Sequence, residues 1–301
     1  MKSSPPIPQE LWSLMADVGP HWLQDVRGHI KLMLDGFTRV HKNACKDGVV
    51  KRTVSYGAHL RQQFDLYAAA ATKKNCAAVL FVHGGAFIEG DRNRTEEIYS
   101  NVSYYFARHG IISLNVGYRL APEAAYPEAT RDTATVVQWA REHAAEIGID
   151  PTRIFLMGHS AGAAHVASYA YDKRLQPSNG PGIAGLIVIS GRVRADNLPE
   201  NPNAQRVEAY YGTDASRFDD YSPVSHVCAD SVPTFIAWGE YENALIDVYC
   251  AELVHRLGVA KRRTPPVMWL KGHNHTSTIA HINTAEDALG CAMREFIEHP
   301  R

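Results

Sequence analysis

An α/β fold is what this sequence predicts: a mostly parallel sheet of eight strands flanked by helices. Three observations predict it. From about residue 50 onward, short apolar runs alternate with amphipathic stretches, a pattern that implies parallel strands joined by right-handed crossovers. Later runs such as Ile154-Phe155-Leu156-Met157 are apolar throughout, as strands covered on both faces must be. The chain has 301 residues, 45% hydrophobic and 21% charged. That is enough to bury a large core without disulfide or metal staples, and such a fold often runs to this length as one domain.

Residues 1–49 read as a helical cap segment. Trp22, Val26, Ile30, Met33 and Phe37 recur at spacings of four, four, three and four, which stacks them on one helical face. Such a face either packs on the body of the protein or roofs a pocket, and the two are compatible. Strands are expected at 50–56, 64–68, 77–83, 111–118, 153–157, 184–190, 234–238 and 267–270. Helices are expected near 94–109, 128–147, 161–172, 244–257 and 284–297. The stretch 192–232 is polar and turn-rich, and insertions of that kind often shape binding sites. The whole reads as a single domain, residues 1–301, with the α/β core at 50–301.

Composition narrows the function classes. The formal net charge is −1 and no basic block is visible, which argues against nucleic acid as a partner. The five cysteines are odd in number and lack CxxC spacing, so neither a disulfide framework nor a zinc finger is indicated. The N-terminus has no apolar signal core, and no apolar run approaches the length of a membrane span. A cytoplasmic protein with no membrane partner follows. Pairing into a homodimer is left open.

The strongest local signal is Gly158-His159-Ser160-Ala161-Gly162, between an apolar strand and a helix beginning at Ala163. A turn this tight strains its central residue and needs small neighbours. It lifts the serine hydroxyl clear at a helix N-terminus, where negative charge is favoured. Read blandly, Ser160 would be an ordinary helix cap. His83-Gly84-Gly85-Ala86-Phe87 ends an earlier strand. Its paired glycines can turn backbone N–H groups toward a bound oxygen. With the N–H of Ala161, those of Gly84 and Gly85 form a candidate oxyanion hole.

A serine nucleophile needs a base, and chain order places it after the last strand. Lys271-Gly272-His273-Asn274-His275 stands there, with His281 more distant. The acid belongs after the preceding strand, in Gly239-Glu240-Tyr241-Glu242-Asn243. Its distance past the glycine favours Glu242, with Asp247 and Glu240 as alternatives. His273, His275 and His281 could also ligate a metal. No carboxylate lies close by in sequence and H-E-x-x-H is absent, so no metal and no cofactor are expected.

The ordered motifs resemble the hormone-sensitive-lipase-like esterases of the α/β-hydrolase fold, including the branch with kynurenine formamidase (arylformamidase) and similar small carboxylesterases. The resemblance runs from about residue 50 to the end. It is carried by Tyr56-Gly57, Arg61-Gln62, Asp65-Leu66-Tyr67, His83-Gly84-Gly85 and Gly90-Asp91. Further on it is carried by Tyr118 to Glu123, Tyr126-Pro127, Asp132, Gly158 to Gly162, Ser222-Pro223 and Gly272 to His275. It implies Ser160 as nucleophile, His275 as base, and Gly84, Gly85 and Ala161 as oxyanion donors. It also implies a structural role for Tyr118 to Glu123. The family usually has Asp where this chain has Glu242-Asn243. The expected activity is a serine carboxylesterase acting on small-molecule esters without a cofactor. An arylformamidase cleaving an aryl amide is the first alternative. A ligand-binding hydrolase homologue without catalysis is the second.

Overall fold

The computed structural model describes residues 4–71 and 74–301. Among these, α1 (Gln9–Val18) and α2 (Val26–His41) precede β1 (Val49–Ser55), β2 (Gln63–Ala69) and β3 (Cys76–Val82). Then follow α3 (Ser100–Arg108), β4 (Ile112–Val116), α4 (Glu128–Glu142), α5 (Ala144–Ile147), β5 (Ile149–His159) and α6 (Ala161–Tyr171). β6 (Gly185–Ile189), α7 (Ala204–Tyr211), α8 (Phe218–Tyr221), β7 (Thr234–Tyr241) and α9 (Ile246–Lys261) come next. The chain ends with β8 (Val267–Asn274), α10 (Ser277–Ala280) and α11 (Ala288–Glu298). The strands form one sheet in the order β1-β2-β4-β3-β5-β6-β7-β8. β1–β2 and β2–β4 pair antiparallel, and every other pair is parallel.

Side chains of a strand alternate between faces, and the central strands fill a core on each side. Ala78, Leu80 and Val82 of β3, with Leu156 of β5 and Ile236 of β7, pack with α4, α6 and α9. Val79, Phe81, Phe155, Met157 and Phe235 join α1, α2, α3 and α11 on the other side. The N-terminal helices therefore share a core with one face of the sheet. Gly36 of α2 makes room for α1, since a Cβ there would stand 2.7 Å from Leu11 Cδ1.

Two expectations shift. Trp22 does not share a helix with Val26. Gly19 and Pro20 interrupt the run, Gly19–Gln24 forms a separate 3₁₀ turn, and Asp25 caps α2 by accepting from the Gly28 N–H at 3.0 Å. Helix α3 begins at Ser100 rather than near residue 94, because Tyr99 adopts a left-handed φ of 79° that ends any preceding helix.

Candidate active site

β5 runs into α6 through Ser160, whose φ of 55° and ψ of −121° lie outside the ordinary regions for an L-residue. The neighbours that permit this turn have no room for side chains. A Cβ on Gly158 would stand 2.5 Å from Ala163 Cα, and one on Gly162 would stand 2.2 Å from the Val82 carbonyl. Every residue of α6 is buried, so the serine is held by a helix packed against the centre of the sheet.

Ser160 Oγ donates to His275 Nε2 at 3.0 Å, and His275 Nδ1 donates to Glu242 Oε2 at 2.5 Å. Glu242 and His275 are buried. Glu242 Oε1 accepts from Ser190 Oγ at 2.6 Å and from the Gly239 N–H at 2.9 Å. Both carboxylate oxygens are thus occupied, which fixes the carboxylate plane. His275 is anchored as well: its N–H donates to the Tyr241 carbonyl at 3.0 Å, and its carbonyl accepts from Thr278 Oγ1 at 2.9 Å and from His159 Nε2 at 3.0 Å. Chemically, a hydroxyl, an imidazole and a carboxylate in this order can pass a proton from Oγ to Nε2 while the carboxylate stabilises the imidazolium.

The other candidates lie elsewhere. His273 Nδ1 is 3.1 Å from Ser277 Oγ, and its Nε2 is 3.0 Å from Glu286 Oε2. His281 follows α10, and its Nδ1 donates to the Ser277 carbonyl at 2.7 Å. Burial pushes the His281 imidazole down to about 4, helped by the nearby charge of His273. Glu240 accepts from the Gly272 N–H at 2.8 Å, and Asp247 is exposed. The structure supplies the carboxylate that sequence proximity had missed: donor atoms of His273, His281 and Glu286 all lie within 4.8 Å of one another.

Gly84, Gly85 and Ala161 line a cavity of about 330 Å³ together with Ser160 and His275. Gly84 approaches the serine so closely that a Cβ on it would stand 3.0 Å from Ser160 Cβ. Gly85 has φ of 150°, and a Cβ there would collide with the Glu89 carbonyl. The Tyr99 hydroxyl, which lines the same cavity, lies 3.3 Å from His159 Nδ1. Burial, reinforced by His275, holds the His159 imidazole well below its ordinary value. His159 is therefore neutral, with Nε2–H facing the His275 carbonyl and Nδ1 accepting from Tyr99. Sequence reasoning missed Ala86, which lines the same cavity at φ 47°. It also missed Ser190, whose φ of 47° turns its hydroxyl onto Glu242.

The loop after β3 is braced from outside. Tyr118 OH donates to the His83 carbonyl at 2.9 Å, His83 Nδ1 donates to the Gly84 carbonyl at 2.8 Å, and Arg61 Nη2 donates to the Gly90 carbonyl at 2.8 Å. Arg119 holds the buried Asp132 through its backbone N–H and its guanidinium. The cavity roof comes from α2, through Val26, Arg27, Ile30 and Leu34. Trp22 Nε1, just before α2, donates to Asn243 Oδ1 at 2.8 Å, which ties the roof to the residue following Glu242.

Residues 79–255 match a protein family described by its alpha/beta hydrolase fold. Among curated relatives, a probable isoprenylcysteine alpha-carbonyl methylesterase of Arabidopsis thaliana is 30% identical over 195 residues, 61% of this chain and 45% of that protein. Esterase LipC of Mycobacterium tuberculosis is 26% identical over 244 residues, 75% of this chain and 60% of that protein. The matches thus span about half the length of these relatives. Among solved structures, a bacterial heroin esterase superposes with a TM-score of 0.70 at 21% identity, covering 93% of each chain. A hyperthermophilic esterase from Pyrobaculum calidifontis gives 0.73 at 18% identity, covering 97% of this chain and 98% of that one. At these identities both structures speak to the fold.

Proposed function

The chain belongs to the alpha/beta hydrolase fold family, and on that premise we propose that it is a serine carboxylesterase hydrolysing small carboxylic esters through an acyl-enzyme on Ser160. One observation carries the reading: the unbroken hydrogen-bonded series from Ser160 Oγ through His275 to Glu242, opening on a cavity. The esterase names of the curated relatives support it.

His275 Nε2 takes the hydroxyl proton as Ser160 Oγ attacks the ester carbonyl. The charge that builds on the carbonyl oxygen is met by backbone N–H groups of Gly84, Gly85 and Ala161. Glu242 holds the imidazole in the tautomer that presents a lone pair to Ser160 and stabilises the imidazolium. His275 then protonates the departing alkoxide, and a water repeats the sequence on the acyl-enzyme. The small cavity suits short substrates.

The test is initial-rate hydrolysis of short-chain p-nitrophenyl esters beside N-formylkynurenine. Ester turnover should exceed formamide turnover, and Ser160→Ala should lose at least about 10³-fold in kcat. A wide preference for the formamide would replace the ester reading by the arylformamidase one. Ester turnover that survives Ser160→Ala would exclude the serine mechanism.

A further inference from the structure

The cavity at Ser160 carries more positive charge than a neutral ester calls for. Arg27, Arg94, Arg192 and Arg206 all line it. Their acids do not balance them. Arg206 Nη1 lies 2.9 Å and Arg94 Nη2 3.9 Å from the same oxygen of Glu89, so one carboxylate answers two guanidiniums. Arg192 pairs with Asp196 at 2.9 Å, and Asp196 also accepts from Tyr249 OH at 2.6 Å. Arg27 is exposed and has no acidic partner among the described residues. Setting Glu89 and Asp196 against the four arginines leaves two positive charges in excess. Glu242, behind His275, would offset one of them and still leave the site cationic.

These charges come from different parts of the chain. Arg27 is on the α2 roof, Arg94 lies between β3 and α3, and Arg206 is on α7 within the polar insertion. Part of the remaining wall is apolar, with Val26, Ile30 and Ile279 among its residues, and part is polar, with Asn203 and Asn243. An apolar patch beside separated guanidiniums fits a molecule with a short hydrocarbon body and one anionic end. Guanidiniums bind carboxylates through charge-assisted, often bidentate hydrogen bonds. Low-dielectric walls focus their field toward the opening.

We propose that the ester hydrolysed at Ser160 carries a carboxylate remote from the scissile carbonyl, held by Arg206 and Arg94 with Arg27 at the rim. The proposal rests on the serine hydrolase reading. Glu89 competes with that carboxylate for the same two arginines. It therefore sets the affinity for the substrate's anionic end without touching the reacting atoms.

The experiment compares mono-p-nitrophenyl succinate, an anion, with p-nitrophenyl butyrate, a neutral ester with an equal number of acyl carbons. The expected kcat/KM is at least about tenfold higher for the succinate at low salt, with the gap narrowing as salt screens the arginines. Arg206→Gln should lower the succinate value by about tenfold through KM and change the butyrate value by less than about twofold. Glu89→Gln should move the succinate value the opposite way, and that increase is a readout that a misfolded variant would not give. Equal or better use of the butyrate, or equal losses on both esters in Arg206→Gln, overturns the carboxylate proposal while Ser160-dependent turnover keeps the hydrolase reading. A folded protein that cleaves neither ester overturns both.

Discussion

Glu242 shows how much can depend on which atom of a side chain faces which partner. Its Oε1 is claimed by two donors, Ser190 Oγ and the Gly239 N–H, and its Oε2 alone faces His275 Nδ1. In Glu242→Gln the amide oxygen stays with those two donors, so the NH₂ must face His275. Two donors cannot share that contact, and the imidazole shifts its proton to Nε2, removing the lone pair that Ser160 needs. The expected outcome is a fall in kcat of about 10³–10⁴-fold with KM little changed, read by steady-state kinetics on a short ester. A loss under about tenfold would mean that another group holds the imidazole. Ser160 was legible in the sequence because its turn imposes a local requirement for small residues at Gly158 and Gly162. Glu242 was legible only through its distance from Gly239. Ser190 was not, because its role depends on a left-handed backbone at the end of a different strand, which no local pattern announces.

At the level of elements, the strands and most helices were legible because their apolar periodicity is local. Their ends were not. β8 continues past Leu270 to Asn274 although Gly272 has φ of 77°. β7 continues to Tyr241 across an irregularity in its pairing with β8. Those extensions carry the two strands directly to His275 and Glu242. The face shared by Val26, Ile30, Met33 and Phe37 proved to do two jobs: Met33 and Phe37 are buried in the core, while Val26 and Ile30 line the cavity. Trp22 joins this segment to the loop that carries Glu242. Trp22→Phe keeps an aromatic ring but leaves Asn243 Oδ1 without its buried donor, at a cost of about 1–3 kcal/mol. The expected result is earlier proteolytic cleavage within residues 20–45 and a higher KM, with kcat less affected. Limited proteolysis and kinetics on the same sample check it, and unchanged values in both would show that the roof is held by other contacts.

Across the whole molecule, several histidines are buried far from solvent. Burial pushes His41, His83 and His281 down to about 4 and His165 down to about 3. Each is neutral in the fold, whereas the unfolded chain protonates it near its ordinary value of 6.5. Their contribution to stability is therefore complete above about pH 6.5. It falls as the pH drops toward their folded values, at roughly 1.4 kcal/mol per pH unit for each group. Thermal melts should show a clear drop in Tm between pH 7.5 and pH 5, and a level Tm over that range would contradict the burial argument. Sequence alone showed fifteen histidines but not which were buried, because burial follows from tertiary packing. In the proposed mechanism Ser160 is the nucleophile. Intact mass spectrometry after treatment with a fluorophosphonate is the decisive measurement. One adduct per chain is expected, mapped to the peptide bearing Ser160 and absent in Ser160→Ala. A folded protein that takes up no adduct, or carries it on another residue, would contradict it.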